Sequence, residues 1–412
     1  MEPLKIETKI TPTFSGYLFE WPVLALMIEV DRIVESRREG TTHGEVVITF
    51  QGNFPYTDRL NFTSTQGKKT LREELKRRFP ADWWGDVIEC LCRETLKRYR
   101  QGEPIEEITT EDFAEPPRFL LEPVLLEGHP TIIFGLGGTM KSYLCLTLGS
   151  IVTLPMLNNP LGLIPKADPT PVLYLDYETD RSEITWRLKS LQRGLDTGYM
   201  AIKYRRCYLP LMEDCEVIHK TVLKNNIGLL IIDSIAGACG GDLLSVDLTT
   251  KLFAAIRKIR TTSLLVAHTA KNPTGKDATP YGDVFFGNWA RSVWELKKDE
   301  ARDDQSIDVG LFHRKVNAIK KQKPIGLRFK FGEGQVTTSR TELAETGLAE
   351  HLPQTTVIFQ SLLANGLMTL EEIAEETGIA KNSVHVALNR LKSYGQVYRF
   401  ANKRWGVLEN NG

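Results

Sequence analysis

The stretch "HPTIIFGLGGTMKSYLCLTLGSIV", residues 129–152, decides the fold. It reads as a short apolar strand, a glycine-rich turn and a helix. The turn, "GLGGTMKS" at 135–142, differs by one letter from the phosphate-binding pattern G-x-x-x-x-G-K-[ST]. Gly135, Lys141 and Ser142 hold their places, and Met140 stands where the last glycine belongs. Such a loop aims backbone N–H groups and a helix N-terminus at phosphate oxygens. The candidate nucleotide-binding residues are Gly135, Gly137, Gly138, Thr139, Met140, Lys141, Ser142 and Tyr143. Lys141 would reach the β- and γ-phosphates of ATP, and the Ser142 hydroxyl would bind Mg2+. Gly137 and Gly138 can supply the unusual dihedrals of the turn. The position before the lysine is expected to have helical dihedrals, which suit any residue, so Met140 is expected to be tolerated.

Three more apolar runs end in polar residues: "PVLYLDYE" (171–178), "IGLLIIDS" (227–234) and "TSLLVAHT" (262–269). Near-continuous apolar runs separated by helical patterns imply a mostly parallel sheet covered on both faces. Ligands bind such sheets outside the carboxyl ends of the strands. Asp233 is placed to hold a metal-bound water, Glu178 to polarise an attacking water, and His268 to sense the γ-phosphate. Taken singly, each has a plainer reading, since a strand-terminal Asp is often a turn residue and a lone His is often structural. Four polar ends in order on four strand-like runs point to a Mg·nucleotide site.

The order of Lys141/Ser142, Glu178, Asp233 and His268 resembles the RecA-fold ATPases, and most nearly the plasmid- and phage-encoded family of the RepA hexameric replicative helicase. The resemblance covers roughly residues 118–335. "DYE", "IIDS" and "AHTAK" are similar to its catalytic-glutamate, magnesium and histidine strands, and "GNWARSVWEL" (287–296) to a signature strand. "HRKVNAIKKQKPIGLRFKF" (313–331) resembles a late strand pair that faces the neighbouring subunit. The resemblance implies Lys315 and Arg314 as cationic fingers acting across a subunit interface, with Arg291 a weaker candidate. It also implies that the loop 271–287 lines a channel for single-stranded DNA. There Lys271 and Lys276 would meet phosphates and Tyr281 would stack on a base. A plain surface loop is the alternative.

Residues 353–412 read as three helices and a hairpin, resembling a winged helix-turn-helix. Thr369 caps the second helix, and Val384, Ala387, Leu388 and Leu391 form the buried stripe of the third. The opposite face offers Lys381, Asn382, His385, Asn389 and Lys392, with Arg399, Lys403 and Arg404 on the hairpin, as candidate DNA contacts. A protein-docking role is the alternative.

The remaining sequence frames these parts. Residues 1–100 read as a small α+β domain, with "GEVVITF" (44–50) alternating as a strand and "ADWWGDVIECLCRETLKRYR" (81–100) apolar at helical spacing. Residues 101–119, acidic and proline-bearing, read as a linker, and 120–340 as the RecA-like core. The 412 residues suffice for such a three-part chain. Formal net charge is zero, so any nucleic-acid surface must be local. Six scattered cysteines suggest reduced thiols and a cytoplasmic protein. The start has no signal-peptide layout, and no membrane segment is expected. The expected function is an ATP-hydrolysing, oligomeric, hexameric DNA motor, a replicative helicase or helicase-like ATPase of a mobile element with replication proteins as partners. Its alternatives are a DNA-binding regulator that uses ATP as an assembly switch, and a signalling or metabolic ATPase that docks proteins through its C-terminal domain.

Overall fold

The computed structural model describes residues 7–36, 38–52, 55–102, 105–112, 115–269, 279–282, 285–299, 305–400 and 402–407. They fall into two units, Met1–Ala114 and Glu115–Gly412. In the first unit, five antiparallel strands pair in chain order and two helices, Thr65–Arg78 and Trp84–Gln101, pack on the sheet. The alternation read in "GEVVITF" is the pleat of the strand Thr41–Phe50, whose Val46 and Ile48 are buried beside Trp84, Val87 and Ile88. Phe50 meets the rings of Phe79, Trp83 and Trp84, and the Trp84 indole N–H donates to the Phe79 carbonyl at 2.8 Å.

The second unit is built on a nine-stranded sheet. In chain order its strands are β1 (Pro130–Gly135), β2 (Val172–Asp176), β3 (Lys203–Arg206), β4 (Leu229–Asp233), β5 (Thr262–His268), β6 (Ser292–Lys298), β7 (Ser306–Val316), β8 (Ile325–Gly332) and β9 (Gln335–Arg340). Their order across the sheet is β3-β2-β4-β5-β1-β6-β7-β8-β9. Pairing is parallel from β3 to β6 and antiparallel from β6 to β9. This is an α/β architecture with a mostly parallel sheet. Every residue of β2 and β4 is buried, as strands covered on both faces must be. One face is covered by α1 (Lys141–Thr153), whose Leu144, Leu148 and Ile151 pack with Tyr174, Ile231 and Trp294. Next come α2 (Arg181–Gly194), α3 (Leu211–Lys224), α4 (Val246–Ile259) and the single turn α5 (Phe285–Trp289). Gly194 in α2 lets the helix lie directly on β9, since a Cβ there would sit 2.0 Å from the Val336 carbonyl oxygen.

Beyond β9, Leu343, Leu348 and Leu352 pack on Phe312 of β7 and lead into α6 (Gln354–Asn365). Helices α7 (Leu370–Thr377) and α8 (Lys381–Ser393) follow, then a short hairpin pairing Tyr398–Arg399 with Trp405–Gly406. The Thr369 hydroxyl accepts from the Glu372 N–H at 3.2 Å, and the Glu372 carboxylate accepts from the Thr369 N–H at 2.7 Å. That reciprocal box starts α7, and Gly378, left-handed at φ 64°, ends it. Val384, Ala387, Leu388 and Leu391 are buried as their spacing requires, while Leu363 of α6 is exposed. Among the described residues, all six cysteines are free thiols, and no helix is long and apolar enough to cross a membrane.

One buried histidine ties β7 to the basic loop that follows it. His313 is stacked on Trp294 with centroids 4.0 Å apart, its Nδ1 accepts from the Gln322 N–H at 2.9 Å, and its Nε2 lies 3.1 Å from the Ser292 hydroxyl. Burial pushes its pKa down to about 4 from the ordinary 6.5, with the nearby Lys321 charge adding to the shift. The unfolded chain therefore takes up this proton at a higher pH than the folded one. The contribution is present above pH 6.5 and is lost as pH falls towards 4. Melting temperature should drop through that window, and His313→Phe, which keeps a ring against Trp294, should show a shallower drop in a thermal-melt series. An identical slope in the two proteins would exclude this role.

Candidate nucleotide and hydrolysis site

Parallel register brings the polar strand ends to one edge. Asp176 pairs with Asp233, and His268 pairs with Gly135. The phosphate loop leaves β1 between β5 and β6, and packs so closely that a Cβ on Gly135 would stand 2.4 Å from the Leu296 carbonyl oxygen. Gly138 is left-handed at φ 73°. The Thr139 hydroxyl closes the turn on the Leu136 carbonyl at 2.8 Å. Lys141 is 6% exposed, and its ammonium donates to the carbonyls of Gly135 and Leu136 at 3.0 and 2.7 Å and to the Thr139 hydroxyl at 3.3 Å. Burial lowers the Lys141 pKa, against the opposing pull of Asp233 and Glu178. Tyr143 sits edge-on to Phe331 with the Arg187 guanidinium over its ring.

Met140 corrects the sequence reading. Its dihedrals are φ 64° and ψ 17°, left-handed rather than helical. The glycine of the familiar pattern stands at this position because φ is positive there, where a side chain costs about 1 kcal/mol. Met140 is nonetheless accommodated, with its side chain packed against the core beneath α1. Such strain in a phosphate loop persists only when the surroundings over-determine it.

Asp233 is 5% exposed. Its Oδ2 accepts from the Tyr174 hydroxyl at 2.5 Å, and among the described residues its Oδ1 has no hydrogen-bond partner. Burial raises its pKa, opposed by the hydroxyls of Tyr174 and Ser142. A buried, unpartnered carboxylate oxygen facing the Ser142 side of the loop fits a hydrated divalent cation such as Mg2+. The peptide joining Asp233 to Ser234 is cis.

Glu178 follows the end of β2. Its carboxylate accepts from the Ser234 hydroxyl and lies 3.5 Å from His268 Nε2. The His268 contact lowers the Glu178 pKa most, burial opposes it, and Ser234 adds to the lowering, so the carboxylate is ionised at neutral pH. Its turn is fixed by Asp176, to which sequence reasoning assigned no role. The Asp176 carboxylate, 1% exposed, accepts from the N–H groups of Glu178 (3.0 Å) and Thr179 (2.8 Å) and from the hydroxyls of Thr179 (3.1 Å) and Tyr204 (2.8 Å). Arg206 adds an ion pair at 3.2 Å. Lys141, Ser142, Glu178, Asp233 and His268 thus share one edge.

The finger candidates lie elsewhere. Strand β7 runs antiparallel to β6 and ends at the amino edge, where Lys315 pairs with Val293 and Val293 with Ile132. Lys315 is therefore three residues, about 10 Å, back from the Gly135 row and two strands away. Its ammonium donates to the carbonyls of Gly287, Asn288 and Ala290, which close α5. Arg314 occupies the bulge between β7 and β6, and its Nε donates to the buried Glu295 at 2.7 Å. Arg291, at the start of β6, is exposed on the same edge.

Among the DNA candidates, Lys271 and Lys276 lie outside the described residues. Tyr281 is 46% exposed, and its N–H donates to the His268 carbonyl at 2.6 Å. Lys381, Asn382, His385, Asn389 and Lys392 are exposed along α8, with Lys381 near Glu371 at 3.8 Å and His385 near Asn389 at 3.3 Å. On the hairpin, Arg399 lies over Trp405 and Lys403 is exposed. Arg404 is tied to Glu372 at 3.1 Å and to the Leu367 carbonyl at 2.7 Å.

Residues 100–274 match the family model of an AAA domain. Among solved structures, the chain is similar to a KaiC-like protein from the hyperthermophilic archaeon Pyrococcus horikoshii OT3, at 18% identity and a TM-score of 0.37, over 57% of this chain and 99% of that one. No curated protein matches. The chain carries a P-loop ATPase core.

Two expectations follow from the loop. Met140→Gly should be more stable than Met140→Ala by about 1 kcal/mol in chemical unfolding, since both lack the side chain and only alanine keeps the left-handed strain. Equal stability, or a more stable alanine variant, would mean helical dihedrals at this position. Lys141→Ala should abolish ATP turnover in a phosphate-release assay, and retained turnover would remove the lysine from the site.

Proposed function

We propose that this chain is an oligomeric, DNA-stimulated ATPase motor, a replicative helicase or helicase-like ATPase of a mobile element. The observation that carries the reading is a short physical link. The Tyr281 N–H bonds the His268 carbonyl at 2.6 Å, while the His268 imidazole lies 3.5 Å from the Glu178 carboxylate. Tyr281 of the candidate DNA loop, residues 271–287, is thus bonded directly to the histidine that neighbours the hydrolytic carboxylate. The cations of the amino edge support an assembled form. Lys315 and Arg291 are too far from their own phosphate loop to touch its ligand, but a head-to-tail neighbour would present its own loop to them. Lys315 is the better candidate for such contact, because Arg314 already neutralises the buried Glu295. The exposed row of Lys381, Asn382, His385, Asn389 and Lys392 on α8 favours DNA over a protein surface for the C-terminal helices.

In hydrolysis, the loop N–H groups and Lys141 hold the phosphates of ATP. Ser142 and the free Oδ1 of Asp233 would hold Mg2+, which supplies charge neutralisation at the phosphates when bound. Glu178 orients a water and takes its proton as the oxygen attacks the γ-phosphorus and the bond to the β-phosphate oxygen breaks, leaving ADP and phosphate. His268 and Ser234 hold the Glu178 carboxylate in place.

The test is steady-state ATP hydrolysis by the purified chain, alone and with single- or double-stranded DNA. Single strands should raise kcat about tenfold or more, and Glu178→Gln should lower it by roughly 100-fold or more. Hydrolysis indifferent to both DNAs would overturn the motor reading in favour of a switch or docking protein. Duplex affinity without stimulation would favour a regulator.

A further inference from the structure

The two buried aspartates at the carboxyl edge are held in the same way. Strand β3 pairs with β2 so that Tyr204 stands beside Tyr174, and β2 pairs with β4 so that Tyr174 stands beside Ile231. Each tyrosine reaches across to the neighbouring strand and up by two residues. Tyr204 donates to Oδ2 of Asp176 at 2.8 Å, and Tyr174 donates to Oδ2 of Asp233 at 2.5 Å. The step repeats because parallel pairing repeats, and two residues along a strand is the reach of a tyrosine ring and hydroxyl.

The two carboxylates do different work. Beyond Tyr204, Asp176 holds the turn that carries Glu178 and pairs with Arg206. Asp233 anchors no turn in this way, and among the described residues its Oδ1 has no hydrogen-bond partner. We propose that Tyr174 and Tyr204 form a positioning ladder: Tyr174 fixes the Asp233 carboxylate so that one oxygen alone is offered to the metal's water shell, and Tyr204 fixes Asp176 and through it Glu178. Neither tyrosine is a catalytic residue. Tyr174 is fully buried in the core beneath α1, so its orientation is set by packing, and the hydroxyl transmits that rigidity to the carboxylate. A carboxylate free to rotate would present either oxygen, or both, and metal affinity would fall. Partners that orient a metal-holding group in this way are worth about 10–100-fold in affinity or activity.

The inference rests on the nucleotide-site reading of Asp233 and Glu178, and two readouts separate the rungs. The first is the affinity of the full-length chain for a fluorescent ADP analogue across a Mg2+ titration. The second is kcat at saturating ATP and Mg2+. Tyr174→Phe should shift the Mg2+ midpoint upward by about tenfold or more while leaving affinity in EDTA unchanged. Tyr204→Phe should leave the Mg2+ midpoint in place and lower kcat by about tenfold. A merely structural role would move neither in this split pattern. If wild-type affinity is indifferent to Mg2+, the site reading of Asp233 fails. If it depends on Mg2+ and Tyr174→Phe leaves the midpoint unmoved, the ladder fails and the site stands. Should Tyr174→Phe not fold, the double variant with Asp233→Asn must restore folding, because the charge that needs the hydroxyl is gone, and failure to restore it overturns the proposal.

Discussion

The in-register parallel pairing of β2 with β4 is the constraint on which the rest depends. It sets Asp176 directly beside Asp233, so both strands end in the same plane. The turn after β2 is then anchored on β4, through a bond from the Tyr177 N–H to the Asp233 carbonyl at 2.7 Å. Slip this pairing by one residue and every side chain on β2 exchanges faces. Tyr174 would turn away from the Asp233 carboxylate, and Glu178 would no longer meet Ser234 and His268. The hydrophobic burial of five consecutive residues on each strand does not by itself choose that register, because both faces are apolar. The polar ends choose it: the buried Asp233 carboxylate must find a donor, and this register brings it the Tyr174 hydroxyl.

The second organising fact is the change of strand direction at β6. Parallel strands bring their carboxyl ends to one edge, and the antiparallel return through β7 carries Arg314 and Lys315 to the opposite one. The core therefore has an anion-receiving, acid-bearing edge and a cationic edge, separated by the height of the sheet. The buried Glu295 explains why only part of that cationic charge is available: it sits between Arg314 and Lys297 and absorbs one guanidinium.

Much of this was legible in the sequence, for a physical reason. Apolar runs that stop at Gly135, Asp233 and His268 mark strands whose ends leave the core, and the order of those ends is preserved in the chain. The fold class and the shared edge followed from that alone. The start of α7 at Thr369 was equally plain, since capping chemistry is local. Met140 was misread because a motif letter records a residue and hides a torsion angle. The ion pair of Arg314 with Glu295 was invisible because it joins residues 19 apart across a bulge, and bulges leave no local signature in a charged strand. The tyrosine ladder was hidden for a third reason. A Tyr two positions before an Asp, as in "YLD", is ordinary strand composition, and its meaning arises only when the neighbouring strand is in register.

The unpartnered Oδ1 of Asp233 also bears on stability. A buried carboxylate oxygen without a donor lowers the stability of the ligand-free fold, because solvation lost on burial is not replaced. Whatever cation or water shell comes to that oxygen restores part of the loss, so occupancy of the site and integrity of the sheet are thermodynamically linked. The central strands, ordinarily the most rigid element of such a fold, would then respond to cation binding in how readily their amides exchange with solvent.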